Sequence, residues 1–184
     1  VTGTNTIVDK GASMNSADMQ KSSFVKTMGD TAFMYDYKTK NGGYPMLANI
    51  DNFSGSGTSA SPYLIQTTSD LRALSTSVVN GNTTTGKYFK QTKDLTFEST
   101  DAIYDWDGTS GNESNFLPIG GWDNTTTIIG AGSTKKFNGT FDGDNHTTTG
   151  LVIKRSITID NSHTYIGLFG VCDINADIKN IGIT

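Results

Sequence analysis

Short apolar bursts separated by Gly, Asn, Asp, Thr and Ser set the rhythm of the end of the chain: Leu151-Val152-Ile153, Ile166-Gly167-Leu168-Phe169, and Ile178 to Ile183. Each burst is a few residues long and rich in Ile and Val. The separators tolerate left-handed backbone or form Asx turns, and no 3.6-residue period runs through the stretch, so strands are predicted. Similar bursts predict strands at Pro62 to Ile65, Tyr88 to Gln91, Leu95 to Phe97, Pro118 to Gly120 and Thr127 to Ile129.

Two stretches carry a helical pattern instead. Thr67 and Asp70 form a capping pair ahead of Leu71, Leu74 and Val78, which share one helical face, and Gly81 stops the run. Earlier, Asn15 as N-cap, Asp18 in the first turn and Met14 against Met19 as a staple predict a helix from about Ser16 to Met28, with Met19, Phe24, Val25 and Met28 as its buried stripe. Phe33, Tyr35 and Tyr37 then alternate as a short strand, and Asn41-Gly42-Gly43 turn the chain.

Gly143, Gly150, Gly167, Gly170 and Gly182 lie beside or inside the bursts, where close approach of another backbone explains a missing side chain. Asn145, Asn161, Asn175 and Asn180 follow the same rhythm, as corners of stacked coils would require. The predicted fold is mainly β, a parallel solenoid with Leu71 to Val79 as a capping helix over its first coil and a small helix-plus-strand segment ahead of it. Leu151, Ile153, Ile166, Leu168, Phe169, Ile178 and Ile181 are expected to point inward.

Composition agrees with a folded, strand-rich chain: 34% hydrophobic, 17% charged, a net charge of only -4, and much of the rest Gly, Thr, Ser and Asn. All five methionines lie in the first quarter, which places a boundary near Asn49 to Ser54. The 14 basic residues are dispersed, with only Lys135-Lys136 and Lys154-Arg155 adjacent, so nucleic acid is not an expected partner. No run of 18 apolar residues and no basic-apolar leader is present, so no membrane insertion is expected of this fragment.

The phrases FNGTFDGDNHTTTGLVI, YIGLFG and IKNIGI resemble those of GLUG-type β-helix modules, which occur in large bacterial surface and adhesin-like proteins and in non-catalytic regions of immunoglobulin A1 metallopeptidases. GSGTSASPYLIQTTSDLRALSTSVVNGNTTTGKYFKQTKDLTF resembles the opening segment of such modules, and DMQKSSFVKTMGDTAFMYDYKTKNGGYPML their closing segment. The resemblance implies a right-handed parallel β-helix, a pectin-lyase-like solenoid, in which residues 1–52 are the tail of one module and 53–184 a second module cut before its own closing segment. It also implies an extracellular or cell-surface location and a role as stalk or adhesion surface for a glycan or host protein.

Candidate chemistry is sparse. Glu98 to Phe116 is longer than a connector needs and departs from the resembling modules. Asp101, Asp105, Asp107, Asn112 and Glu113 supply the hard oxygens calcium takes, yet no Glu falls at the twelfth position from Asp105, so the loop reads either as a calcium site or as a solvated acidic loop. The expectation is that calcium does not raise the melting temperature and that no cofactor is bound. Tyr104 and Trp106 in that loop, and Trp122 after it, are the aromatics available to contact a ligand, with packing as the alternative fate.

Asp142-Gly143-Asp144-Asn145-His146 puts two carboxylates near a histidine, but on a Gly-rich turn that reads as a solenoid corner; His163 is isolated, and no catalytic residue is assigned. Cys172 is expected to be a small buried hydrophobe. Two function classes follow: a non-enzymatic surface segment, and a carbohydrate-active β-helix enzyme such as a polysaccharide lyase or glycoside hydrolase. Ile178 to Thr184 is further expected to present an open strand edge through which the chain self-associates, or which its own first segment folds back to cover.

Overall fold

Alternation decides the inside of the molecule. In the computed structural model, which describes residues 16–19, 33–34, 41–42, 44–47, 49–98, 114–120, 135–154 and 166–184, every other residue of the short strands turns toward one core. Ser16–Met19 form a helical turn, α1. The strands Phe33–Met34 (β1) and Met46–Leu47 (β2) pair antiparallel, Phe33 opposite Leu47. The Asn41 turn closes between them, with Tyr44 N–H on the Asn41 carbonyl at 3.2 Å.

All remaining pairing among the described residues is parallel. Tyr63–Ile65 (β3), Tyr88–Gln91 (β4), Thr140–Asp142 (β6) and Asp177–Lys179 (β8) form a four-stranded sheet in that order. Leu95–Thr96 (β5), Thr147–Thr149 (β7) and Gly182–Ile183 (β9) form a three-stranded one. Each strand of the second sheet follows a strand of the first after a corner of a few residues, so the chain winds past both sheets in turn. Asp144 (φ 49°), Asn145 (φ 62°) and Asn180 (φ 54°) take left-handed backbone at these corners, a role that short polar side chains fill.

Register stacks like positions. Tyr63, Phe89, Phe141 and Ile178 are successive partners across the larger sheet. The aromatic column continues sideways: Phe53 against Tyr63 at 5.9 Å, Phe89 against Phe137 at 5.9 Å, and Phe169 against Phe137 and Phe141 at 5.1 and 5.3 Å between ring centroids. Ile50 and Phe53 belong to the same core. Glycines mark where coils touch: a Cβ on Gly143 would meet the Asn180 carbonyl at 2.3 Å, and one on Gly150 (φ 71°) the Phe97 carbonyl at 2.2 Å.

The principal helix, Thr68–Val79 (α2), starts on a complete capping box between Thr67 and Asp70 and is followed by Gly81 at φ 86°. Its Leu71, Leu74 and Val78 are wholly buried as the spacing predicts, but so are Ala73 and Ser75, and Asp70, Arg72 and Ser77 nearly or fully so. The helix is therefore enclosed on more than the one predicted face.

Several expectations are corrected. Leu151-Val152-Ile153 forms no strand, because the Asn115 side chain takes the Val152 N–H at 2.7 Å where a ladder carbonyl would stand. Pro118 to Gly120 and Ile166 to Phe169 contribute only the isolated parallel bridge of Ile119 with Phe169. Ile166 is 64% exposed, so it points outward; Leu168 is buried, while Leu151, Ile153, Phe169, Ile178 and Ile181 are only partly so. Cys172 is exposed, although the surrounding protein still raises its thiol pKa by desolvation. The predicted helix beyond Met19, Tyr35, Tyr37, Asn161 and the strand at Thr127 to Ile129 lie outside the described residues.

Burial grades the aromatic column. Phe141→Ala should cost about 3–5 kcal/mol by urea denaturation, and the half-buried Phe169→Ala distinctly less. Equal losses would show that Phe169 is as enclosed as Phe141.

Candidate functional site

The outward residues of the four-stranded sheet form two rows across the strands. Register aligns Tyr88 with Thr140 and Asp177 in one row, and Leu64, Lys90, Asp142 and Lys179 in the other. A loop before β3 walls them at one side. It is held by Ser56 and Thr58 N–H groups on the Ser61 carbonyl (3.0 and 3.2 Å) and by Tyr88 N–H on the Gly57 carbonyl (3.0 Å). Only glycine fits at position 57, at φ 74° with a Cβ 2.4 Å from the Tyr63 ring. Between this wall and the rows lies an open cleft of about 390 Å³.

The cleft presents one aromatic ring, hydroxyls and a row of alternating charge. Tyr88 is 36% exposed; Ser59 and Thr140 bring hydroxyls. Asp142 accepts from Asn180 Nδ2 and from Asp144 N–H, each at 2.9 Å. These bonds, Asn180 first, together with Lys179 and Lys90, hold its carboxyl below the ordinary range. Lys90 pairs with Asp144 at 3.0 Å and Lys179 with Asp177 at 3.3 Å.

The carboxylates and histidine grouped in the sequence do not converge. Asp142 caps its own turn, whereas His146 Nδ1 lies 3.3 Å from Asp94 Oδ1 in the preceding coil. Asp94 also accepts the Thr147 N–H at 2.8 Å, and that bond, ahead of the one with His146, holds its pKa below normal. The segment is a corner. Among the described residues no three His, Cys, Asp or Glu side chains are grouped to hold a metal. Asp101, Tyr104, Asp105, Trp106, Asp107, Asn112, Glu113, Trp122 and His163 lie outside the described residues.

What the sequence reading missed is a buried polar seam. Arg72, 1% exposed, donates Nε and Nη2 to the Asn115 carbonyl at 3.0 and 2.9 Å, and its guanidinium sits 4.9 Å above the Phe97 ring. Asn115 in turn donates Nδ2 to the Gly150 carbonyl at 2.8 Å, and its backbone N–H to the Val152 carbonyl at 2.9 Å. Ser114 Oγ donates to the Lys154 carbonyl at 2.9 Å, and Ser75 Oγ bonds the Leu117 carbonyl. Buried Gln91 bridges the Lys93 and Thr147 carbonyls at 2.9 and 3.1 Å. The available sign was an arginine set between core positions Leu71 and Ala73.

Against known proteins, no family model and no solved structure matches. Halomucin of Haloquadratum walsbyi is 31% identical over 129 residues, 70% of this chain. The chain spans about 1% of that protein's length. Among the described residues no helix is long and apolar enough to cross a membrane.

Two measurements follow. Asn115→Ala removes the Val152 and Gly150 hydrogen bonds and should cost about 1 kcal/mol for each, read from urea midpoints; an unchanged midpoint would reject the seam. Asp94 and Asp142 titrate below their unfolded values, so their stabilisation is complete above about pH 4 and is lost as pH falls through the folded pKa values. Stability should fall on acidification below that point, and less steeply in Asp142→Asn.

Proposed function

We propose that the chain is a segment of a right-handed parallel β-helix in an extracellular surface protein, non-enzymatic, serving as stalk and as an adhesion face toward a glycan or a surface protein. The observation that carries this reading is the repeated two-strand passage in register, β4 to β5, β6 to β7 and β8 to β9, each coil stacked on the last. The partial similarity to halomucin supports a place in a very long chain: 129 residues amount to 1% of that protein, which therefore runs to on the order of ten thousand residues. The outer face of the larger sheet, with its cleft, is the adhesion surface.

An enzymatic reading is weaker on chemistry. Glycoside hydrolysis needs a carboxyl that stays protonated near neutral pH beside one that is ionised. Among the described residues, the carboxylates with displaced pKa values, Asp94 and Asp142, are both displaced downward.

Brief protease treatment of intact source cells should release peptides of this chain; their release only after lysis would overturn the surface reading. A polysaccharide panel should show no depolymerisation. Chain shortening that disappears in Asp142→Ala and Asp144→Ala would establish the enzyme instead.

A further inference from the structure

The cleft on the larger sheet has a composition that selects among ligands. Its floor carries Tyr88, 36% exposed where its neighbour Phe89 is buried, and its wall brings Pro62 and the Ser59 hydroxyl. Across the strands, Lys90, Asp142 and Lys179 alternate in charge. Both ammonium groups already meet a carboxylate, Asp144 and Asp177, and Asp142 remains ionised between them. Fixed charges of both signs are thus interleaved, two ammonium groups among three carboxylates, and a strongly charged ligand of either sign would meet a like charge beside each opposite one. A ligand that offers many neutral donors and acceptors meets no such conflict.

Geometry adds direction. Neighbouring strands lie about 4.8 Å apart, and each of β4, β6 and β8 adds one outward polar residue to the Lys90–Asp142–Lys179 row. The advance per sugar unit in an extended pyranose polymer is close to this spacing. A chain laid across the strands would bring successive hydroxyl pairs to an ammonium, a carboxylate and an ammonium, while one ring stacks on Tyr88. The wall is fixed beforehand, since the Gly57 carbonyl holds the Tyr88 N–H at 3.0 Å and Gly57 packs on Tyr63, so little ordering cost falls on binding.

We propose that this cleft binds an extended, uncharged pyranose polysaccharide, with Tyr88 as the stacking platform and Lys90, Asp142 and Lys179 as hydroxyl partners. The proposal rests on the reading of this sheet face as an adhesion surface and names its ligand class.

The test is a titration of the whole chain with cellohexaose, xylohexaose and mannohexaose, with oligogalacturonate as the charged comparison, followed by calorimetry and by the ring-proton NMR signals of Tyr88. At least one neutral hexamer should bind with little dependence on salt and shift the Tyr88 ring signals. Tyr88→Ala should weaken it about tenfold or more, and Tyr88→Phe should keep it within about threefold. An unchanged melting temperature in Tyr88→Ala separates lost stacking from lost fold; if that variant unfolds, the ring-proton shift alone decides. Absence of neutral-hexamer binding at millimolar concentration, binding without a Tyr88 shift, or salt-sensitive binding of oligogalacturonate alone would each overturn the proposal. None of those outcomes bears on surface location, which protease release from intact cells tests independently.

Discussion

A guanidinium inside a protein is costly to desolvate, several kcal/mol even after relaxation, and Arg72 is 1% exposed. The surrounding structure is arranged to meet it. The Asn115 carbonyl receives two of its N–H groups and the Phe97 ring lies against its face. To hold Asn115 there, its side chain is tied to Gly150 and Val152 in the next coil. One buried cation thus fixes helix α2, the 114–118 strip and the coil containing β7 relative to one another. Truncating any member leaves a polar group without its designed partner, so the seam specifies register more than it adds net stability.

The aromatic column then does what the seam cannot. Rings from Phe53 to Phe169 contact edge to face or tilted across successive coils. Their contribution is largely apolar burial with a geometric preference for offset contact. Burial weakens toward β8 and β9, where Ile178 and Ile181 are only partly covered and Ile183 is 54% exposed.

Local signals were legible in the sequence, and distant ones were not. The capping box of Thr67 and Asp70, the stop at Gly81 and the strands at Tyr63–Ile65 and Tyr88–Gln91 follow from neighbours within a few residues. The close backbone approaches at Gly143 and Gly150 were also readable, since a missing side chain is a local fact with a distant cause. The absence of a strand at Leu151-Val152-Ile153 was not, because it depends on Asn115, 37 residues away from Val152. Ile166 and Cys172 failed similarly: both are exposed, Cys172 in an isolated bridge with the distant Phe137, and composition does not encode which way either faces. For the site, Tyr88 was read as a strand residue. Its place in the cleft emerges only once register sets Thr140 beside it and its N–H bonds the Gly57 carbonyl of the wall.

The ion pairs of the outer face are all at the surface: Lys90 and Asp144 expose 37% and 43% of their side chains, and Lys179 and Asp177 expose 47% and 56%. Such pairs fade as the Debye length shrinks from about 10 Å at 0.1 M to about 3 Å at 1 M salt. The ladder hydrogen bonds, the ring contacts and the enclosed Arg72 seam lie out of reach of that screening. Strong brine would therefore strip the outer face of its pairwise charge order while leaving the coils in place, so that the scaffold tolerates a wide range of salinity and only the texture of its surface changes with it.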